Sequence, residues 1–227
     1  MTVVLIVLLV VGVALTRKFA PSIMTPVLYA LLALAMALST VRFFQTEERA
    51  EQSARIVFAK AVGAVLGREI ALALPDGGAL AVVRLPPVFT EGALEIFDAE
   101  LEGLRSSLDP ARYPMQIVNM PDSPGSEELE ISIMSEAEYR GLLNQVSGVK
   151  AVVLQRAVFD PAARSEPSTF PPAFLLLGEG NPVDRLVREG FVLAAVEHRS
   201  DGDFSRTPSR GMSAQEVFDL RYRIARP

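Results

Sequence analysis

The polar residues with chemical potential in this 227-residue chain sit just past short apolar runs. Arg84, Asn119, Asp122, Gln155, Arg156, Glu179, Asn181 and the Glu197–His198 pair each follow such a run. In an open parallel sheet, ligands bind outside the carboxyl ends of the strands, where the strand order reverses. Arginines, carboxylates and amides gathered there would hold a small polar solute by hydrogen bonds. Gly178-Glu179-Gly180-Asn181-Pro182 stands ahead of a helical stretch and could offer free N–H groups to an anion. Against that, Glu179 repels an anion and the motif follows the fourth apolar run rather than the first, so a tight strand-to-helix turn accounts for it. His198, with Glu197, Asp201 and Asp203 close by in sequence, has the residue types of a metal site or a general base. A single histidine at a strand end is more simply polar surface. Asp201-Gly202-Asp203 is turn chemistry and lacks the later ligands of a calcium loop.

Composition removes several classes of chemistry. The chain has no cysteine, so disulfides, thiolate nucleophiles and Cys-ligated zinc or iron–sulfur centres are out. With one histidine, a multi-histidine metal site would need another chain. No G-x-S-x-G elbow, phosphate-binding P-loop or H-E-x-x-H motif is present, and neither a cofactor nor a metal is expected. A net charge of −5 gives no electrostatic case for nucleic acid.

The elements that must position these residues read as an α/β alternation. Residues 45–78 form an amphipathic stalk or linker. A helix over 45–66 carries Ala54, Val57, Phe58, Ala61, Val62 and Val65 at spacings of three and four. Gly67 weakens it, a second short helix runs over 68–74, and Pro75-Asp76-Gly77-Gly78 ends it. The α/β domain, 79–198, follows. Its five strands are Ala79–Leu85, Pro114–Met120, Val149–Gln155, Ala173–Leu177 and Phe191–Val196. Thr90 caps a helix with Leu94, Phe97, Leu101, Leu104 and Leu108 in one stripe. Ser135-x-x-Glu138 is a capping box, and Asn181-Pro182 opens a further helix. Strands this apolar are covered on both faces, and helices between them imply a parallel sheet. The expected fold is a three-layer α/β sandwich with a five-stranded, mainly parallel sheet in the order 2-1-3-4-5. A tail over 199–227 holds a loop and a docking helix capped by Ser213-x-x-Glu216.

Ahead of this domain, residues 1–44 read as a transmembrane helical hairpin. Val3–Leu15 and Val27–Leu38 are two apolar runs joined by a short segment with Arg17, Lys18, Pro21 and Pro26. As helices, Met1–Thr16 rises about 24 Å and Ile23–Val41 about 28 Å, near the roughly 30 Å of hydrocarbon once Arg17, Lys18 and Arg42 reach outward. Neither run carries a persuasive cleavage site, the best being after Ala35-Met36-Ala37. The short turn has two bases and no acid, which places it inside and the soluble domain on the extracytoplasmic side of the inner membrane. Ala30, Ala33 and Ala37 line one side of the second run. They allow close packing on the first helix or on a foreign one, so the expected partners are the lipid bilayer and other membrane subunits or a second copy.

One resemblance goes beyond periodicity. The segments ALAVVRLPPVFTEGALEIFDAELEGL, MQIVNMPD, SEAEYRGLLNQVSGVKAVVLQ and FVLAAV, spread over Ala79–Val196, resemble one lobe of a type 1 periplasmic sugar-binding protein. The shared features are an apolar first strand, a proline–phenylalanine loop, a long helix ending in E-G-L and a V-x-A-V-V-L third strand. The resemblance implies that fold and an extracytoplasmic side. A second lobe and its hinge crossovers are lacking, so a closing two-lobed cleft is not expected of this chain alone. The sequence thus favours a membrane-anchored, non-enzymatic accessory or scaffold module of a larger assembly. The alternative is a binder of a small, sugar-like solute, or an enzyme, that uses the strand-end crevice.

Overall fold

The computed structural model describes residues 49–84, 91–120, 132–146, 148–176 and 181–227. Residues 53–227 form one compact unit. It is built from helix α1 (over 49–73, of which residues 53 onward belong to the unit), β1 (Ala79–Arg84), α2 (Glu91–Ser107), β2 (Met115–Asn119), β3 (Ser132–Ser135), α3 (Glu136–Leu143), β4 (Val149–Gln155), β5 (Ala157–Asp160), β6 (Ala173–Leu176), α4 (Asn181–Arg188), β7 (Val192–His198), α5 (Ala214–Asp219) and β8 (Tyr222–Ala225).

The main sheet has the order β2-β1-β4-β6-β7-β8, parallel except for β8, which runs antiparallel to β7. Alternation along the strands feeds two separate cores. Leu80, Val82, Ala151 and Val153 face Phe58, Val62, Leu66 and Ile70 of α1, Leu101 and Leu104 of α2, and Val217 and Phe218 of α5. Ala81, Val83, Val152 and Leu154 face Tyr139 and Leu142 of α3 and Val183, Leu186 and Val187 of α4. Helix α2 thus covers one face while α3 and α4 cover the other. Crossovers of constant hand require this when the chain reverses direction across the sheet. The reversal falls between β1 and β4.

Helix α1 meets α2 through backbone contact. A Cβ on Gly63 would lie 1.9 Å from the Glu100 carbonyl oxygen, and one on Gly103 would lie 2.1 Å from that of Lys60. Only glycine permits that approach. The helix also runs unbroken through Gly67 to residue 73, rather than as the two helices expected; Gly67 sits against Ser107, where an added Cβ would lie 1.9 Å from the hydroxyl oxygen. Both capping boxes, Ser135 with Glu138 and Ser213 with Glu216, form with reciprocal hydrogen bonds.

Two expectations are corrected. The sheet has six strands rather than five, since β8 adds an antiparallel edge, and β3 and β5 pair as a separate two-stranded parallel sheet. The five strands read from sequence stand in the order β2-β1-β4-β6-β7. The membrane architecture is corrected too: no helix among the described residues is long and apolar enough to cross a membrane. At about 37 Å, α1 has the length, but Arg55, Lys60, Arg68 and Glu69 put charge along it and its apolar side packs on the sheet. The hairpin over 1–44, with Ala30, Ala33 and Ala37, lies outside the described residues, so the inner-membrane placement has no span to rest on. Thr90 and the loop Pro121–Glu130 also lie outside them.

Candidate functional site

The carboxyl ends of β1 and β4 lie side by side at the reversal in strand order. Arg84 is in register with Gln155 on β4 and with Asn119 on β2. The alternation that sends Leu80 and Val82 toward α2 sends Arg84 the same way, and its Nη2 lies 2.9 Å from Asp98 Oδ1. Gln155 follows Ala151 and Val153 onto that face. Its Nε2 donates to the Phe97 carbonyl at 2.9 Å and to Glu100 Oε2 at 2.7 Å. Glu100 and Gln155 are essentially without solvent contact, at 0% and 1% exposure.

Arg156 ends the strand in the left-handed region, φ 53°, the one non-glycine residue with positive φ among the described residues. That turn lets the chain leave the main sheet at Gln155 and enter β5 one residue later. It costs an L-residue on the order of 1 kcal/mol that glycine would not incur. The guanidinium lies 5.3 Å from the Phe97 ring centre, and its Nη2 stands 3.5 Å from Glu100 Oε1. That separation is an ion pair but beyond a good hydrogen bond. Three buried polar atoms in this one cluster have no hydrogen bond: Glu100 Oε1, Gln155 Oε1 and Arg156 Nε. Burial raises the Glu100 pKa above the ordinary carboxylate value, against the lowering effects of Arg156, Gln155 and Arg84.

Of the residues singled out from sequence, the fold brings Arg84, Asn119 and Arg156 to one edge of the sheet. Asn119 is exposed there. Asp122 and Glu179 lie outside the described residues, and Asn181 opens α4, with its side chain likewise undescribed. His198 ends β7, two strands beyond β4, with its ring 4.9 Å from that of Tyr222 and 5.6 Å from that of Phe204. The carboxylates near it in sequence are bound elsewhere. Glu197 takes Arg223 at 3.0 Å, Asp201 takes Arg199 at 2.8 Å, and Asp203 accepts from Ser205. No three His, Asp or Glu side chains among the described residues could hold a metal ion.

Glu100 is the functional candidate that the sequence reading missed. It lies three residues after Phe97 and four before Leu104, which places it on the buried stripe of α2. A carboxylate at a stripe position is the signal that could have found it. Cavities among the described residues open elsewhere. A groove of about 240 Å³ runs between α1, α2 and α5 past Val57, Ala61, Gly103 and Met212. One of about 250 Å³ lies beside Ile133, Phe159 and Arg185. Neither is lined by Arg84 or Arg156.

No protein family and no curated protein matches the sequence. Among solved structures, the chain is similar to XylFII at 19% identity, over 63% of this chain and 50% of that one, with a TM-score of 0.42. It is also similar to GanP, a glucose-galactose binding protein from Geobacillus stearothermophilus, at 9% identity over 61% of this chain and 47% of that one, TM-score 0.42. AraP, an arabinose binding protein from the same organism, matches at 17% identity over 61% and 45%, TM-score 0.40. The chain spans about half the length of these proteins. The likeness is one of fold, over part of each chain.

Proposed function

We propose that this protein is a binding module for a small polar solute, sugar-like in its hydroxyl chemistry, held at the carboxyl ends of β1 and β4. The observation that carries the reading is Arg156. An arginine occupies a backbone position that favours glycine, and its guanidinium stands over a buried carboxylate–amide pair whose hydrogen bonds are incomplete. Backbone strain of this kind persists where the side chain is needed. Arg84 and Arg156 keep 19% and 26% of their side-chain surface exposed, so they are the groups a solute reaches, with Glu100 and Gln155 beneath them. Guanidinium donors on Arg84 and Arg156, beside the exposed Asp98 carboxylate, suit hydroxyl groups, which both donate and accept.

The test is isothermal titration calorimetry with a panel of pentoses, hexoses and their acids. The wild-type protein is expected to bind at least one member, and Arg156→Gly to weaken that binding by about ten- to hundredfold, the cost of losing hydrogen bonds to a charged group. Glycine suits the left-handed backbone, so this variant keeps the fold while removing the guanidinium. Unchanged affinity in Arg156→Gly, or no binding across the panel, would overturn the reading. A module that serves an assembly as a scaffold would give the second result.

A further inference from the structure

A solute-binding crevice needs only the exposed faces of Arg84 and Arg156, yet the structure places a carboxylate directly under one of them. Glu100 is fully enclosed, its Oε1 makes no hydrogen bond, and Arg156 stands 3.5 Å away. The geometry points to a proton-coupled anion site: a solute bearing a carboxylate or phosphate engages the Arg156 guanidinium in place of Glu100, and Glu100 takes up one proton from solvent as it does so. This rests on the solute-binding reading and names its ligand class and its regulation.

The charges balance. Where Glu100 is ionised before binding, the pair is one guanidinium and one carboxylate. Afterwards the guanidinium faces the ligand's anionic oxygens, and Glu100 is a neutral acid whose new O–H can satisfy an acceptor in the cluster. Gln155 Oε1, a buried acceptor without a hydrogen bond, belongs to that cluster. Two effects drive proton uptake. Glu100 loses the ion pair with Arg156 and gains a negative neighbour, and each change favours the protonated form. Burial already biases the free protein in the same direction, through the raised Glu100 pKa.

The groups facing Glu100 leave it as the switching group. From β4 they are Gln155 and Arg156, and from β1 it is Arg84, already tied to Asp98 at 2.9 Å. From β8 the Tyr222 phenol is felt, its own pKa raised by burial. On α1, Gly63 presses on the Glu100 backbone, and Lys60 is bound to Glu102 at 2.8 Å. Glu197 on β7 is held by Arg223.

Matched probes separate the possibilities: D-glucose against D-glucuronate and glucose 6-phosphate, and D-galactose against D-galacturonate, with inorganic phosphate alone as a further arm. Each is titrated calorimetrically into the full chain at about pH 5.5 and about pH 8, in two buffers of different ionisation enthalpy. An anionic probe is expected to bind more tightly at the lower pH, with affinity falling by up to about tenfold per pH unit and uptake of up to about one proton per ligand. Glu100→Gln is expected to bind the uronates, whose carboxylates stay ionised across this range, equally at both pH values, with that uptake abolished; the phosphate probes, which ionise near about pH 6 themselves, report affinity only. A neutral sugar binding as tightly as its acid, or proton uptake with a uronate that survives Glu100→Gln, overturns the proposal and leaves the solute-binding reading standing. Should no probe bind at either pH, both fall. If Glu100→Gln does not fold, carboxyl-carbon NMR titration of wild-type Glu100 decides, since its pKa must rise when the anionic probe is added.

Discussion

At the residue scale, two glutamates show opposite couplings between environment and pH. Glu136 opens α3 and is clasped by the Ser165 hydroxyl, the Ala162 N–H and Arg140, which hold its pKa down at about 2. Those bonds tie the loop after β5 to α3. Because the folded pKa lies below the unfolded one, the clasp stabilises fully above about pH 4.5 and is lost as pH falls toward 2. Glu100 works in reverse. Its raised pKa means that its contribution is full below about pH 4.5 and declines as pH rises through the folded value. Thermal melts across pH should therefore show Glu136→Gln losing stability at neutral pH and losing its share of the acid-side decline. Glu100→Gln should keep its stability as pH rises while wild type loses some. Parallel curves for wild type and Glu100→Gln at every pH would contradict the assignment of Glu100 as a titrating buried acid.

At the element scale, the contact between α1 and α2 fixes where the candidate site can be. Gly63 and Gly103 let the two backbones touch, and the touching carbonyl is that of Glu100 itself. Gly63→Ala must push α2 away or distort it, at a cost of about 1–3 kcal/mol for overpacking. Since Glu100, Asp98 and the Phe97 carbonyl move with α2, solute binding should weaken in the same variant even though position 63 touches no ligand. Urea denaturation gives the first effect and calorimetry the second; a destabilised Gly63→Ala with wild-type affinity would mean that α2 does not hold the site. The sequence made parts of this legible. The boxes at Ser135 and Ser213 are local chemistry, read correctly because serine and glutamate three apart satisfy each other's N–H groups without help from the fold. Gly67 was misread as a helix weakener because its role is to admit Ser107 from another helix. Strand β5 was missed because no glycine or proline marks the break at Arg156, and β4 runs into it with nothing but a backbone angle between them.

At the scale of the whole unit, the chain closes on itself through its last residues, which periodicity could not reveal. Strand β8 is four residues, Tyr-Arg-Ile-Ala, too short and too charged to read as a strand until β7 is there to pair with it. In place it buries Tyr222 against Phe58 of α1 and Phe218 of α5, pairs Arg223 with Glu197, and brings Arg226 to within 2.7 Å of Glu69 on α1. The two kinds of contact should differ in weight. The Arg226–Glu69 pair is partly exposed, and such pairs contribute about 0–1 kcal/mol, so Arg226→Ala should barely move the urea midpoint. Tyr222→Ala removes a buried ring that joins three elements, and truncations of this kind cost about 3–5 kcal/mol. The ring also lies on the face of the sheet that carries Glu100, so the loss should spread to the site rather than fray the terminus alone. Hydrogen exchange distinguishes the outcomes. In Tyr222→Ala the amides of α1, α2 and β4 should lose protection together, and protection lost only over 199–227 would show that β8 is an appendage to a unit that stands without it.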